Sequence, residues 1–180
     1  MEFQKVIESR RSMRSYDASK TVTEEQVREI VKAATLAPSW KNSETARYYC
    51  ILCPEKCKEF ANECLPQFNI NNSAGAALIV STFVSGNAGF DVSSGTPVNE
   101  CGDGWGYYDL GLHNEKFLLK AKEMGLDTLV MGIRNADIIR EKLNIPSDET
   151  IVSVIALGYA AKEAVMPPRK EVSDILKFCN

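Results

Sequence analysis

AALIVSTFV, at residues 76–84, is an apolar run without alternation. A strand with one solvated face alternates apolar and polar side chains, so an unbroken run belongs to a strand covered on both faces. IVSVIALGYA, at 151–160, reads the same way and supplies a second central strand. Two such strands imply one sheet with helices on each side, and the flanking sequence provides them.

TEEQVREIVKAATLA at 23–37 predicts a helix. Thr23 and Gln26 have capping-box spacing, Val27, Ile30, Val31 and Ala34 form the apolar stripe, and Pro38 stops it. Residues 2–9 read as a short helix, 46–53 as a strand, and 54–64 as a helix with proline in its first turn. In QFNINNSAGAALIV, at 67–80, Asn69 and Asn72 read, taken alone, as a polar turn before the central strand. GYYDLGLHNEKFLLKAKEM, at 106–124, is a long helix ended by Gly125. It carries two apolar stripes: Tyr107, Leu110, Phe117, Ala121 and Met124 on one, Tyr108, Leu112 and Leu119 on the other. One stripe meets the chain's own core, and the second asks for another cover, which we take to be a partner subunit. DTLVMGI, at 127–133, is a short strand, Asn135 caps a helix over 136–143, and a last short helix follows PPRK. Helices alternate with strands around one sheet, so residues 1–180 are expected to form a single α+β (α/β sandwich) domain.

The composition, 44% hydrophobic and 25% charged, is that of a globular protein. A net charge of -3 argues against a nucleic-acid partner, because phosphate-backbone binders carry a basic surplus. No apolar run approaches a membrane span, and MEFQKVIESR lacks a signal-peptide core, so the expected location is cytoplasmic, with no membrane partner. His113 is the only histidine, which disfavours a histidine-built zinc site and a Ser-His-Asp triad; a cofactor is the natural carrier of any hard chemistry. The six cysteines are expected to be reduced and mostly buried rather than to hold a metal. Cys50 and Cys53, if both lie on a strand, face opposite sides.

The segment IESRRSMRSY, at 7–16, sets Arg10, Arg11 and Arg14 around Ser12. Guanidinium groups hold phosphate oxygens with paired, charge-assisted hydrogen bonds, and a serine hydroxyl adds a donor. Arginines at a helix end also serve as a solvated face that complements the helix dipole. Arg169, in PPRKE, is placed to fold back onto the same anion. APSWKNSE, at 37–44, is either a plain helix-stop loop or a rigid loop whose Ser39 and Asn42 recognise a polar ring edge. In GLDTLVMGI, Gly132 lets backbone approach a ligand closely. Residues 86–106 form a long loop; seven of the eleven glycines lie between 86 and 111. Long loops in compact domains are commonly functional.

In order and spacing, RRSMRSYD, APSWKN, GLDTLVMG and PPRKE resemble the nitroreductase family of flavin enzymes, and the likeness runs from Ile7 to about Ile175. It implies a nitroreductase-like fold with a mixed, largely antiparallel sheet flanked by helices, and a homodimer with flavin mononucleotide (FMN) at its interface. Carried over by position, Arg10, Ser12 and Arg169 hold the FMN phosphate, Arg11 assists, and Arg14 stands near the flavin pyrimidine. Pro38, Ser39 and Asn42 reach the flavin from the other subunit. Leu129, Met131 and Gly132 line the ring, with the Met131 N–H near N5. Asn69 matches a flavin-binding asparagine, while Asn72 stands where some relatives have lysine and Gly75 where an acid is usual. The implied chemistry is ping-pong transfer from NADH or NADPH to a nitroaromatic, quinone or similar flat small-molecule acceptor, covered by Phe90, Trp105 and Tyr107. The alternatives are a same-fold flavoenzyme with other chemistry, such as dehalogenation or enone reduction, and a flavin carrier or sensor with little turnover. An anion-binding or interaction protein without flavin is a third.

Overall fold

The computed structural model describes residues 2–179. In chain order the elements are α1 (Phe3–Ser9), α2 (Glu24–Ala34), a single 3-10 turn (Trp40–Asn42), β1 (Ala46–Ile51), α3 (Pro54–Cys64), α4 (Gln67–Ser73), β2 (Ala77–Val84), α5 (Gly104–Glu123), β3 (Asp127–Met131), α6 (Ala136–Leu143), β4 (Glu149–Gly158) and α7 (Val172–Ile175). The strands lie in the order β1-β2-β4-β3, so the two unbroken apolar runs are the two inner strands. All pairings between these strands are antiparallel. Parallel pairing enters at the isolated bridge between Ser12 and Thr128, outside the named strands.

The inner strands are apolar on both faces because both faces are covered. Leu78 and Val80 of β2, with Val154 and Ala156 of β4, pack against Phe60 and Cys64 of α3 and Ile139 of α6. Ala77 and Ile79, with Ile155 and Leu157, pack against Ile30 and Ala34 of α2 and Phe117 and Ala121 of α5. The hydroxyls inside β2 are satisfied: Ser81 and Ser153 share a hydrogen bond of 2.8 Å, and Thr82 donates to the Glu149 carboxylate. No helix among the described residues is long and apolar enough to cross a membrane.

The capping box at α2 is formed, with Gln26 N–H donating to Thr23 Oγ1 at 3.2 Å and Thr23 N–H donating to Gln26 Oε1 at 3.0 Å. Thr23→Ala is therefore expected to cost about 1 kcal/mol in urea unfolding. A value near zero would mean that the exposed cap is replaced by water at no cost.

Two expectations are corrected. The polar turn read at Asn69 and Asn72 is α4, whose buried positions are Asn69 and Ser73 rather than an apolar stripe. The cysteines are not mostly buried: Cys57 and Cys64 are, whereas Cys50, Cys53, Cys101 and Cys179 are exposed. Cys53 lies beyond the end of β1, at the N-cap of α3, which leaves only Cys50 on the edge strand. The second stripe of α5 is open: Tyr108 is 60% exposed, and Leu112 and Leu119 are half-buried.

Candidate functional site

The residues singled out from the sequence fall into two sets. The first gathers at the outer edge of β3. The segment following α1 runs along that edge, with Met13 N–H donating to the Thr128 carbonyl at 2.9 Å. It continues beside the end of β4, where Asp17 N–H donates to Tyr159 O at 2.9 Å and Ala161 N–H to Ser15 O at 2.9 Å. Met13 and Tyr16 are buried in the core, so they fix the segment while Arg10 and Arg11 stay half-buried and Ser12 and Arg14 remain exposed. Asn69 of α4 joins the same region: its buried amide donates Nδ2–H to the Ile133 carbonyl at 3.0 Å, which ties α4 to the turn after β3. Leu129 and Met131 are buried, and Gly132 and Ile133 are exposed beside them.

The electrostatics of this edge are one-sided. Arg11 Nη1 donates to the Arg10 carbonyl at 2.6 Å and Arg14 Nη1 to the Ser12 carbonyl at 3.2 Å. The acids that flank the segment are engaged elsewhere: Glu8 accepts from Gln4 Nε2–H at 2.7 Å, and Asp17 is taken by Ser19 and Lys20. Among the described residues none of Arg10, Arg11 and Arg14 has a carboxylate within ion-pair distance. Among the described residues Arg169 has one side-chain hydrogen bond, to the Pro167 carbonyl 3.4 Å away in its own segment, and none to Ser12.

The second set lies at the opposite edge of the sheet, before β1. Residues 39–44 form a tight loop in which Lys41 (φ 47°), Asn42 (φ 56°) and Glu44 (φ 49°) are all left-handed. Pro38 and Asn42 are exposed and Ser39 is half-buried, its Oγ accepting from Glu44 N–H at 3.1 Å. Trp40 N–H donates to Asp109 Oδ2 at 2.8 Å, and the Trp40 and Trp105 rings lie 4.7 Å apart. Tyr107 packs edge-on against Phe83 at 4.8 Å and is 51% exposed. Phe90 is half-buried in the glycine-rich loop, bridged to Pro97. That loop is folded on itself: Gly86 N–H donates to Asp103 at 2.7 Å, and Trp105 Nε1–H donates to Asn99 at 3.1 Å. Gly89 (φ 84°) is required there, since a Cβ would lie 2.5 Å from the Trp105 ring.

Trp105 thus meets the 39–44 loop through Trp40, Tyr107 packs on Phe83 of β2 and Phe90 is bridged to Pro97, and none of the three has a ring contact or hydrogen bond with the arginines among the described residues. Sequence reasoning missed Trp40, Asp109 and His113, whose positions give no local pattern. β1 and β3 are separated by the two inner strands, three strand spacings or about 14 Å. Within one chain, the two sets share no hydrogen bond, ion pair or ring contact among the described residues.

His113 lies one turn beyond Asp109, 4% exposed, with Nε2 unpartnered. Burial holds its imidazole below the ordinary 6.5, against the opposing pull of Asp109 and Glu44. The unfolded chain therefore takes up a proton below about pH 6.5 that the folded chain refuses, and stability falls there as pH drops. His113→Asn is expected to lose less stability than the wild type between about pH 7.5 and about pH 5.5 in urea unfolding. Equal losses would show that His113 does not contribute to acid sensitivity.

The first set fits a phosphorylated planar cofactor such as FMN. Its donors are guanidiniums and a hydroxyl with no competing acid, and a Cβ placed on Gly132 would meet open space. A sequence model described as the nitroreductase family matches residues 7–159. A Bacillus subtilis protein named "Putative NAD(P)H nitroreductase MhqN" is 25% identical over an alignment of 206 residues, with 98% of each chain covered. A nitroreductase family protein of Streptococcus pneumoniae superposes with a TM-score of 0.84 at 19% identity, covering 99% of this chain and 100% of that one. A structure described as an oxidoreductase containing FMN superposes with a TM-score of 0.77 at 19% identity, covering 96% and 89%. At these identities the structural likenesses establish the fold.

Proposed function

The chain belongs to the nitroreductase family of oxidoreductases, and we propose that it is an FMN-dependent enzyme working as a cytoplasmic homodimer, moving electrons from NADH or NADPH to a nitroaromatic, quinone or similar flat acceptor. The observation that carries this reading is the arginine segment without acid partners at one sheet edge, matched by a polar, strained loop at the other. A second copy turned to face the first unites the two. The exposed stripe of α5 and the exposed apolar side chains Val165, Val172, Ile175 and Phe178 of the C-terminal segment give such a copy surface to cover.

Arg10, Ser12 and Arg169 would hold the phosphate, with Arg11 adding charge. Arg14, Asn69 and Asn72 would meet the pyrimidine edge, and a cation there favours an anionic reduced ring. Leu129, Met131 and Gly132 would line the ring, with Pro38, Ser39 and Asn42 closing it from the partner. FMN, when bound, supplies the two-electron chemistry at its N5 atom. The chain's own part is to position the reactants and exclude water, with Phe90, Trp105 and Tyr107 as apolar walls for a flat acceptor. Donor and acceptor share one opening, so they exchange places and ping-pong kinetics follow. From 86 to 115 the chain has five acids and no lysine or arginine, which disfavours strongly anionic acceptors.

The test is an anaerobic absorbance titration of the FMN-supplemented protein with NADH and then NADPH. Bound-flavin bands that bleach with a nicotinamide donor are the expected result. Bound flavin that stays oxidised with both donors would point to a carrier or to a different electron source, and absence of bound flavin would refute the assignment.

A further inference from the structure

We propose that Asp109 is a positioning residue: its buried carboxylate locks the 39–44 loop into the left-handed form in which Ser39 and Asn42 are presented to a second subunit. This rests on the reading that the loop completes the partner's flavin site.

The loop does not hold this shape by itself. Lys41, Asn42 and Glu44 are three of the four non-glycine residues with positive φ among those described, the fourth being the helix-ending Asn144. Asparagine tolerates that region, but for lysine and glutamate it is strained, and such strain persists only where the surroundings over-determine it. Internal bonds are short-range: Asn42 N–H to Ser39 O at 3.1 Å, Ser43 N–H to Trp40 O at 2.8 Å, and Asn42 Nδ2–H to Glu44 Oε1 at 2.9 Å. The loop's underside is poorly satisfied. Trp40 Nε1, Ser43 Oγ and Thr45 Oγ1 are buried without a partner, as is His113 Nε2 on the facing helix.

Asp109 ties this loop to the fold. It is 3% exposed, and its one hydrogen bond among the described residues accepts Trp40 N–H at 2.8 Å, 69 residues away in sequence. No cation pairs with it there, so the carboxylate is committed to the loop's backbone. Its platform is rigid: α5 is seated by buried Leu110 and Phe117, and Gly106 presses so closely on the Phe83 ring that a Cβ would lie 2.3 Å from it. Lys41, exposed at the loop's tip, gives a direct readout of loop order, because trypsin must unwind the chain to cut after it.

The experiment compares wild type, Asp109→Ala, Asp109→Asn and Asn42→Ala. The rate of tryptic cutting after Lys41 in flavin-free protein is followed by mass spectrometry, relative to cutting after Lys20. FMN affinity is followed by fluorescence quenching. Asp109→Ala is expected to cut faster after Lys41 and to bind FMN about tenfold more weakly. Asp109→Asn, which keeps an acceptor for Trp40 N–H, is expected to restore both. If Asp109→Ala does not fold, Asp109→Glu displaces the carboxylate while keeping its charge, and is expected to show the same two defects. Wild-type cutting or wild-type FMN affinity in the folded Asp109 variant, with Asn42→Ala weakened, overturns the inference alone. Normal FMN binding by Asn42→Ala instead removes the loop from the flavin site, and the proposed role falls with it.

Discussion

Arg10→Ala is expected to bind FMN about ten- to 150-fold more weakly than the wild type, the loss of about 1.5–3 kcal/mol that follows removal of a hydrogen bond to a charged group. Arg10 sits half-buried at the end of α1, on a segment anchored by buried Met13 and Tyr16, so little ordering entropy opposes its bond to an anion. Among the described residues it has no carboxylate partner to lose, so its removal should leave stability nearly unchanged while affinity falls. Arg10→Lys should fall between the two, because lysine keeps the charge and loses the paired geometry. Fluorescence titration measures all three. An Arg10→Ala protein with wild-type affinity would remove Arg10 from the phosphate site.

Phe117→Ala is expected to lower the unfolding free energy by about 3–5 kcal/mol. The ring is fully buried, in the layer where α2 and α5 cover the sheet, and it stacks on Tyr48 at 5.4 Å. Its neighbours Ile30 and Ala34 of α2, Ile79 of β2 and Ile155 of β4 belong to three different elements, so no single side-chain shift closes the cavity left behind. Such a loss is a large share of a typical domain's stability. Urea unfolding at unchanged m-value is the measurement, and a cost under about 1 kcal/mol would mean that the layer repacks freely.

The inner strands were legible because being covered on both faces writes an unbroken apolar run into 76–84 and 151–160. α2 was legible from Thr23, Gln26 and the spacing of its apolar positions. α4 was not: QFNINNS buries Asn69 and Ser73, so its inward face is polar and carries no helical apolar stripe. The exposed Cys50 and Cys53 were misread because cysteine's usual preference for burial yields at an edge strand and a helix cap. At the site, the arginine segment announced its charge, but its lack of acid partners is a property of the folded surroundings. The bond from Trp40 to Asp109 joins distant residues, and left-handed backbone at Lys41 and Glu44 carries no glycine to betray it. Long-range partners and strain of this kind have no local signature.

On the proposed reading neither sheet edge holds the cofactor alone, and two chains together do. Sedimentation of the FMN-supplemented protein, followed at both the protein and the flavin absorbance, tests it most directly. Flavin is expected to travel with a species of twice the chain mass, at one flavin per chain. Flavin travelling with a single chain would contradict it.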